Sequence, residues 1–198
     1  TDNTQQVPWT DEQWARVRKV TQEEAARARV GASFLPLVGP LAPSTDYVSI
    51  DTIDYGEVGN PRLSIDDKTT VQLATLQVRV YLRGAQMADP DMASALQLFR
   101  RAANVLARLE DHVVFNGLKG PDQQPPPELA VGMIMGGEAS EGLADGEVHD
   151  IDPPDPDPKV LGGLLVSAVS ECIGDLERAG HFGPFAVVFD HAFFTPVQ

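Results

Sequence analysis

The stretch Asp91–Gly117, DMASALQLFRRAANVLARLEDHVVFNG, is the longest helical pattern in the chain. Its apolar residues recur at alternating spacings of three and four, which places them along one side of a helix. This apolar stripe comprises Met92, Ala95, Phe99, Ala102, Leu106, Leu109 and Val113, widened by Leu96, Ala103 and Val114. At about 1.5 Å per residue the helix is expected to be roughly 39 Å long. We call it the spine helix, because we expect other elements to pack along it.

Both ends of the spine helix carry sequence signals. Asp89 is suited to cap the helix, Pro90 to occupy its first position and Asp91 to face the positive end of the helix dipole. Gly117 follows Asn116 and marks the end, since glycine readily adopts the backbone conformation that terminates a helix.

The charge and composition of the chain limit its possible partners. Its 198 residues include 29 acidic and 15 basic side chains, for a formal charge of −14. Such an acidic surface repels phosphate backbones. No apolar run approaches the roughly 20 residues that a membrane span needs, and residues 1–14 lack the features of a signal peptide. We therefore expect a cytoplasmic protein without nucleic-acid or membrane partners.

The segments before the spine helix predict an arm, a helix and a linker. Residues 1–9 are expected to be a flexible arm. Thr10 opens a capping box with Gln13, and the helix is expected to continue to about Val30 and to stop at Gly31. This N-terminal helix has few apolar positions, which is typical of a helix on a surface or against a partner. Residues 31–43 contain three prolines and are predicted to be extended.

Residues 45–83 alternate in the manner of β-strands. The runs at 47–50 and 71–82 predict two long strands, and the turn-rich residues between them predict an excursion. Two strands joined in this way indicate a β-hairpin arm. Because such an arm cannot bury both of its faces alone, it implies a partner.

The region after the spine helix predicts a small mixed domain. Residues 118–158 are rich in proline, with a short strand at 129–135. A second amphipathic helix is predicted over 159–179, ending at Gly180, and residues 185–189 are predicted to be a buried strand. Cys172 lies in that helix, where a small buried hydrophobic residue is its expected role. The fold class is therefore α+β.

Candidate catalytic residues are sparse. Asp111, His112, Cys172, His181 and His191 contain the residue types of a Cys-His-Asp hydrolase, but their spacing does not support one. We expect His112 to be solvated or hydrogen-bonded instead. The sequence has no G-x-S-x-G, no H-E-x-x-H and no glycine-rich phosphate loop between a strand and a helix.

An acidic loop offers a second candidate site. Its side chains are His149, Asp150, Asp152, Asp155 and Asp157. Carboxylates of this kind bind divalent cations, but the intervening prolines oppose a compact cage, so a solvated loop is the preferred interpretation. In a symmetric oligomer, the four aspartates would instead line a pore as a carboxylate ring.

Five short motifs occur in order along the chain: Thr10-Asp11-Glu12-Gln13-Trp14, Gly39-Pro40-Leu41, Glu110-Asp111-His112-Val113-Val114-Phe115-Asn116-Gly117, Glu141-Gly142-Leu143, and Gly180-His181-Phe182-Gly183-Pro184-Phe185-Ala186-Val187-Val188. They resemble the motifs of the encapsulins, the linocin-type bacterial nanocompartment shell proteins. Together they span nearly the whole chain.

The resemblance implies the Hong Kong 97 phage-type capsid fold. Residues 1–43 would form the N-terminal arm, helix and linker, and 44–83 the E-loop hairpin. Residues 84–134 would form the P-domain around the spine helix, and 135–198 part of an α/β A-domain. The family's A-domain is longer, so the resemblance also implies a chain that is truncated at its C-terminus.

The resemblance further implies a structural protein and not an enzyme. Copies would assemble into an icosahedral shell around cargo enzymes, such as ferritin-like iron-storage proteins or dye-decolourising peroxidases. A C-terminal targeting peptide of the cargo would dock between the N-terminal helix and the P-domain. The implied cargo-binding residues are Trp14, Val17, Val30, Phe34 and Leu37. Ala32 and Pro36 replace a polar pair found in many members.

No cofactor is expected. Some members place a flavin-associated tryptophan where this chain has Gly84. Two alternatives remain: a phage-like major capsid protein that packages DNA, which the charge disfavours, and a linocin-type protease or bacteriocin.

Overall fold

A computed structural model of the chain describes residues 7–57, 60–120, 123–146, 158–190 and 193. The chain divides into two compact units, Thr1–Asp145 and Gly146–Gln198. The elements of the first unit are α1 (Asp11–Ala28), β1 (Tyr47–Glu57), β2 (Asn60–Gln72), β3 (Ala74–Val78), α2 (Gly84–Ala88), α3 (Ala93–Asn116) and β4 (Gly132–Gly136). The second unit contains α4 (Pro158–Arg178). The predicted α+β class is confirmed.

The spine helix is α3, and its start differs from the prediction. It begins at Ala93, not at Pro90, because Met92 adopts a left-handed backbone conformation with φ 55°. The Asp89 carboxylate accepts hydrogen bonds from the backbone N–H groups of Asp91 and Ala93, at 3.0 and 3.1 Å. The prediction that Asp89 is the capping residue is wrong, because Met92 occupies the cap position and the Asp89 carboxylate instead bridges the turn that precedes the helix. Gly117 ends the helix with φ 66°, as predicted.

Two hydrophobic clusters bury the spine helix, one near its start and one further along, and the buried surface is wider than the predicted stripe. Near its start, Met92 and Ala95 pack against Trp9 and Val17. Further along, a second cluster comprises Val105, Leu109, Leu118, Leu129 and Ile134. Val105 and Ala107 are each only 1 % exposed although they lie outside the predicted stripe. The helix is covered by α1 and by the β3–β4 sheet.

The strand predicted over 71–82 is wrong as a single element. Residues 71 and 72 end β2, whereas β3 is a separate strand that pairs antiparallel with β4, from Ala74↔Gly136 to Val78↔Gly132. Leu76 and Val78 pack against the second cluster of the spine helix. Because β3 pairs with β4, which is far away in the sequence, the single strand that the alternating pattern predicted is divided in two.

The predicted β-hairpin consists of β1 and β2. The two strands pair antiparallel from Tyr47↔Gln72 to Glu57↔Asn60, with register shifts after Ile50 and Asp54. The residues predicted as an excursion are therefore largely part of the strands. Among the hairpin side chains that the structure describes, at 47–54 and 62–72, none is buried.

The N-terminal helix begins as predicted but ends two residues early, and residues 31–33, which were predicted to be extended, form a 3₁₀ turn. The Gln13 backbone N–H donates to the Thr10 hydroxyl at 3.2 Å, and the Gln13 side-chain oxygen accepts from the Thr10 backbone N–H at 2.9 Å. This is the predicted capping box. The helix ends at Ala28, and a short 3₁₀ turn at Gly31–Ser33 follows it.

In the second unit, α4 confirms the predicted helix, and Gly180 follows its end with φ 92°. The predicted strand at 185–189 is wrong, since these residues have no regular secondary structure. They line an open apolar groove along α4 together with Cys172. Cys172 is therefore half-buried and not fully buried as predicted.

Candidate functional site

An apolar groove of about 470 Å³ runs between α1 and the spine helix. Small side chains form much of its wall: Ala25, Ala26, Ala102, Ala103 and Ala107. Val78 and Val80 close one side, and Arg29 is the charged side chain at the lining. Because alanines occupy facing positions on both helices, the helices leave space between them that longer side chains would fill.

A buried carboxylate joins the two helices beside this groove. Glu24 is 6 % exposed and accepts hydrogen bonds from Arg27 at 2.8 and 2.9 Å and from the Asn104 amide at 3.0 Å. The Arg27 guanidinium lowers the pKa of the Glu24 carboxyl; burial opposes this shift, and the Asn104 hydrogen bond reinforces it. Since Asn104 lies on the spine helix, this contact fixes the two helices relative to each other.

The end of α1 is held by the spine helix through Asp111. The Asp111 carboxylate accepts hydrogen bonds from the backbone N–H of Val30, at 3.0 Å to each oxygen, and from that of Gly31, at 2.8 Å. These N–H groups open the 3₁₀ turn. The first N–H groups of a helical turn have no partner within the turn, so a carboxylate at this place satisfies them and complements their charge.

Neighbouring contacts extend this attachment. Glu110 forms an ion pair with Arg29 at 2.8 Å. Four residues beyond Asp111, the Phe115 ring lies 6.4 Å from the Phe34 ring, measured between centroids. The Glu110–Phe115 part of the long motif is therefore the surface on which residues 29–34 rest.

The last residue of the same motif meets another motif. A Cβ added at Gly117 would lie 2.1 Å from the Ser140 carbonyl oxygen, and one added at Gly142 would lie 2.3 Å from the Gly117 nitrogen. Ser140 and Leu118 also exchange backbone hydrogen bonds at 2.9 and 2.8 Å. Two motifs that are separate in the sequence thus pack backbone against backbone, which explains their glycines.

The structure divides the five predicted cargo-binding residues into two groups. Trp14 and Val17 belong to the cluster around Met92, and Val17 is only 5 % exposed. The Trp14 ring also stacks edge-on against Trp9 at 5.1 Å. Their side chains support the helix pair. Their contact with cargo stays a prediction.

The other three residues lie on or after the turn that follows α1. Val30 is 42 % exposed, Leu37 is 68 % exposed and Phe34 is half-buried. We call residues 30–34 the docking turn. It follows directly on Arg29, which lines the α1–α3 groove. The docking turn therefore begins where the lining of the groove ends, and the contact of Val30, Phe34 and Leu37 with cargo stays a prediction.

Reasoning from the sequence missed the alanine groove and the role of Asp111. The only available signal was the motif beginning Glu110-Asp111, whose acidic pair had no assigned partner in the sequence. Its partners, Arg29 and the docking turn, lie about eighty positions earlier, as the separation of 81 between Val30 and Asp111 shows.

The remaining candidates differ in how far the structure describes them. The proposed pore residues Asp150, Asp152, Asp155 and Asp157 and the acidic loop's His149 lie outside the described residues. His112 Nδ1 lies 3.2 Å from the Asn116 amide, which confirms the expected hydrogen bond.

His181 is exposed on the second unit, which also contains Cys172, and His191 is outside the described residues. Among the described residues, no three His, Cys, Asp or Glu side chains are grouped as metal ligands. No helix within the described ranges is long and apolar enough to cross a membrane.

Together, the open groove, the docking turn and the exposed hairpin define a protein whose described surfaces are suited to contacts with other proteins. Residues 3–123 match the Linocin_M18 family, described as encapsulating protein for peroxidase. Because this match covers more than half of the chain, the chain belongs to that family and is an encapsulin-type shell protein. No curated protein matches the chain.

Proposed function

We propose that copies of this chain assemble into a closed icosahedral shell of the Hong Kong 97 type that encloses a peroxidase-type cargo enzyme. The family membership supports the shell role. The proposal assigns β1 and β2 to the E-loop, the spine helix to the P-domain and the region from about residue 135 to the A-domain. The role is structural, and the compartment is cytoplasmic.

The hairpin supports the assembly part of the proposal. Its outer positions carry large apolar side chains, with Ile53 60 % and Ile65 69 % exposed, and these two residues are paired across the strands. A two-stranded ribbon is marginally stable alone in water. A neighbouring copy that covers this face would remove apolar area from water and stabilise the ribbon.

The α1–α3 groove supports the cargo part. We assign the groove and the docking turn to the targeting peptide at the C-terminus of the cargo. The alanine-lined wall fits apolar side chains of an extended peptide, whose insertion would remove apolar surface from water. Val30, Phe34 and Leu37 would contact the peptide beyond the end of the groove, while Trp14 and Val17 hold the helix beneath it.

The test is co-expression of this chain with a dye-decolourising peroxidase from the source organism. Closed particles seen by electron microscopy, containing haem that co-sediments with them, are the expected result. A peroxidase that lacks its C-terminal segment is the matched control and should stay outside the particles. Purified protein that remains monomeric at micromolar concentration would refute the shell role. Equal uptake of both peroxidases would refute the targeting peptide.

The pore hypothesis is tested separately, on the same particles. If Asp150, Asp152, Asp155 and Asp157 line a symmetry axis, replacing them with Asn should slow the entry of divalent metal ions, because a carboxylate ring attracts cations. An unchanged entry rate would remove the loop from the pore.

The family name favours a protein cargo over DNA, and a formal charge of −14 gives the same ranking. Nuclease-protected DNA in the particles would favour the phage-like alternative. A casein assay of variants with Cys172, His112 or His181 replaced by Ala would test the protease alternative.

A further inference from the structure

We propose that Asp111 is a positioning residue of the cargo site, which holds the docking turn from the spine helix in the shape that cargo binding requires. The proposal rests on the function proposed above, because it concerns the same surface. It adds a determinant of cargo binding that lies on the P-domain side and that need not contact the cargo.

The first argument is the geometry of the hydrogen bonds. The Asp111 carboxylate accepts hydrogen bonds from the two backbone N–H groups at the start of the turn, those of Val30 and Gly31. The turn is closed internally by Ser33 N–H donating to the Val30 carbonyl at 3.0 Å and by Phe34 N–H donating to that of Gly31 at 3.2 Å. Asp111 thus fastens the backbone of an internally closed turn to the spine helix, beside the side-chain contacts of Arg29 with Glu110 and of Phe34 with Phe115.

The second argument is the lack of space behind the turn. Gly31 is buried, and a Cβ added there would lie 3.3 Å from Val114 Cγ1 and 3.4 Å from Asp111 Oδ1. Both distances are tighter than most Cβ contacts. The turn cannot move closer to the spine helix, and the Asp111 hydrogen bonds prevent it from moving away. Val30 and Phe34 are therefore presented in one defined position.

The third argument separates this role from a general role in stability. The α1–α3 pair is held independently near its start by Met92, Ala95 and Val17, and midway by the hydrogen bond between Asn104 and Glu24. Loss of the Asp111 carboxylate therefore leaves these contacts in place. It removes the hydrogen bonds that position the backbone of the docking turn at Val30 and Gly31.

The test compares cargo loading among shells of wild type, Asp111→Ala and Asp111→Asn, each co-expressed with limiting amounts of the peroxidase. Asp111→Ala should lower the haem bound per shell protein about fivefold, because the loss of a cap of this kind costs roughly 1 kcal/mol. Asp111→Asn keeps one side-chain oxygen that can accept hydrogen bonds from both N–H groups. Shells of this variant should therefore load peroxidase within about twofold of wild type. Arg101→Ala, exposed on the same helix, is the surface control.

The outcomes distinguish the two proposals. If wild-type shells load peroxidase and Asp111→Ala shells load equally well, the positioning role is refuted and the proposed function stands. If wild-type shells load none, the proposed function fails and the positioning role fails with it. Should Asp111→Ala not assemble, Gly31→Ala strains the same turn without changing the spine helix, and full loading of that variant would refute the positioning role.

Discussion

The spine helix and the β1–β2 hairpin are opposite cases of how one subunit uses its apolar residues. The spine helix buries its apolar residues in two clusters within its own chain, and Met92, Ala95 and Leu109 are each 0 % exposed. The hairpin has no buried residue among the side chains that the structure describes. The first element is stabilised by contacts within its own chain, whereas the second exposes apolar side chains that a neighbouring copy covers in the proposed shell. The predictions below are ordered by the expected effect on subunit stability, from the largest to the smallest.

The largest effect is expected from Leu109→Ala in the spine helix. Leu109 is fully buried between Val105 and Ile134, so the substitution leaves a cavity and should lower the free energy of unfolding by about 2–5 kcal/mol. Urea denaturation of dissociated subunits measures the change. Leu98→Ala, on the same helix but 38 % exposed, is the matched control. Equal losses for the two variants would contradict the burial of Leu109 in the core.

An intermediate effect is expected from Glu24→Gln, and it should depend on pH. The pKa of Glu24 is lowered below 4.5 in the folded protein by Arg27 and Asn104. Its ionised form therefore stabilises the fold at pH values above about 4.5, and this contribution is lost as the pH falls through the lower, folded value. The difference in Tm between wild type and Glu24→Gln should be largest near neutral pH and shrink in acid.

Glu23→Gln is the control for this prediction. Glu23 is exposed and pairs with Lys19 at 3.9 Å, in a geometry that solvent screens. Its effect on Tm at neutral pH should be the smaller of the two. If the Tm difference for Glu24→Gln were constant between pH 3 and pH 7, the buried carboxylate would not join the helices in the way described.

The smallest effect on subunit stability is expected from Ile53→Asp in the hairpin. Ile53 is 60 % exposed, so the unfolding free energy of a dissociated subunit should change by no more than about 0.5 kcal/mol. Assembly, in contrast, should be lost, because the substitution places a charge on the apolar face that a neighbour covers in the proposed shell. Particle counts by electron microscopy measure this effect, and Ile53→Val is the control that should assemble. Normal particles of Ile53→Asp would contradict the role of this face.

Local signals in the sequence predicted a large part of the fold. The Thr10 capping box, the spine helix ending at Gly117 and the α4 helix ending at Gly180 depend on residues close together in the chain. Such signals act through nearby backbone groups, so they can be read without knowledge of the tertiary structure. The start of the spine helix was missed because Asp89 closes a turn instead of capping directly.

Long-range pairings account for what the sequence did not predict. Residues 71–82 are divided between β2 and β3 because β3 pairs with β4. In the sequence, β4 comes only after the spine helix. The burial of Val105 has the same origin, because this residue lies outside the predicted stripe and packs in a cluster with Ile134 of β4. The attachment of the docking turn to Asp111 also depends on a distant partner. The resemblance to family motifs identified the residues that take part in these contacts, but not which residues contact each other.

Hydrogen exchange followed by mass spectrometry, on assembled particles and on dissociated subunits, tests the comparison most directly. If the chain is a shell protein whose hairpin is completed by a neighbour, amides in 47–72 should exchange at least about tenfold more slowly in particles. Amides in the spine helix should be protected similarly in both forms. Equal protection of the hairpin in particles and subunits would contradict the account.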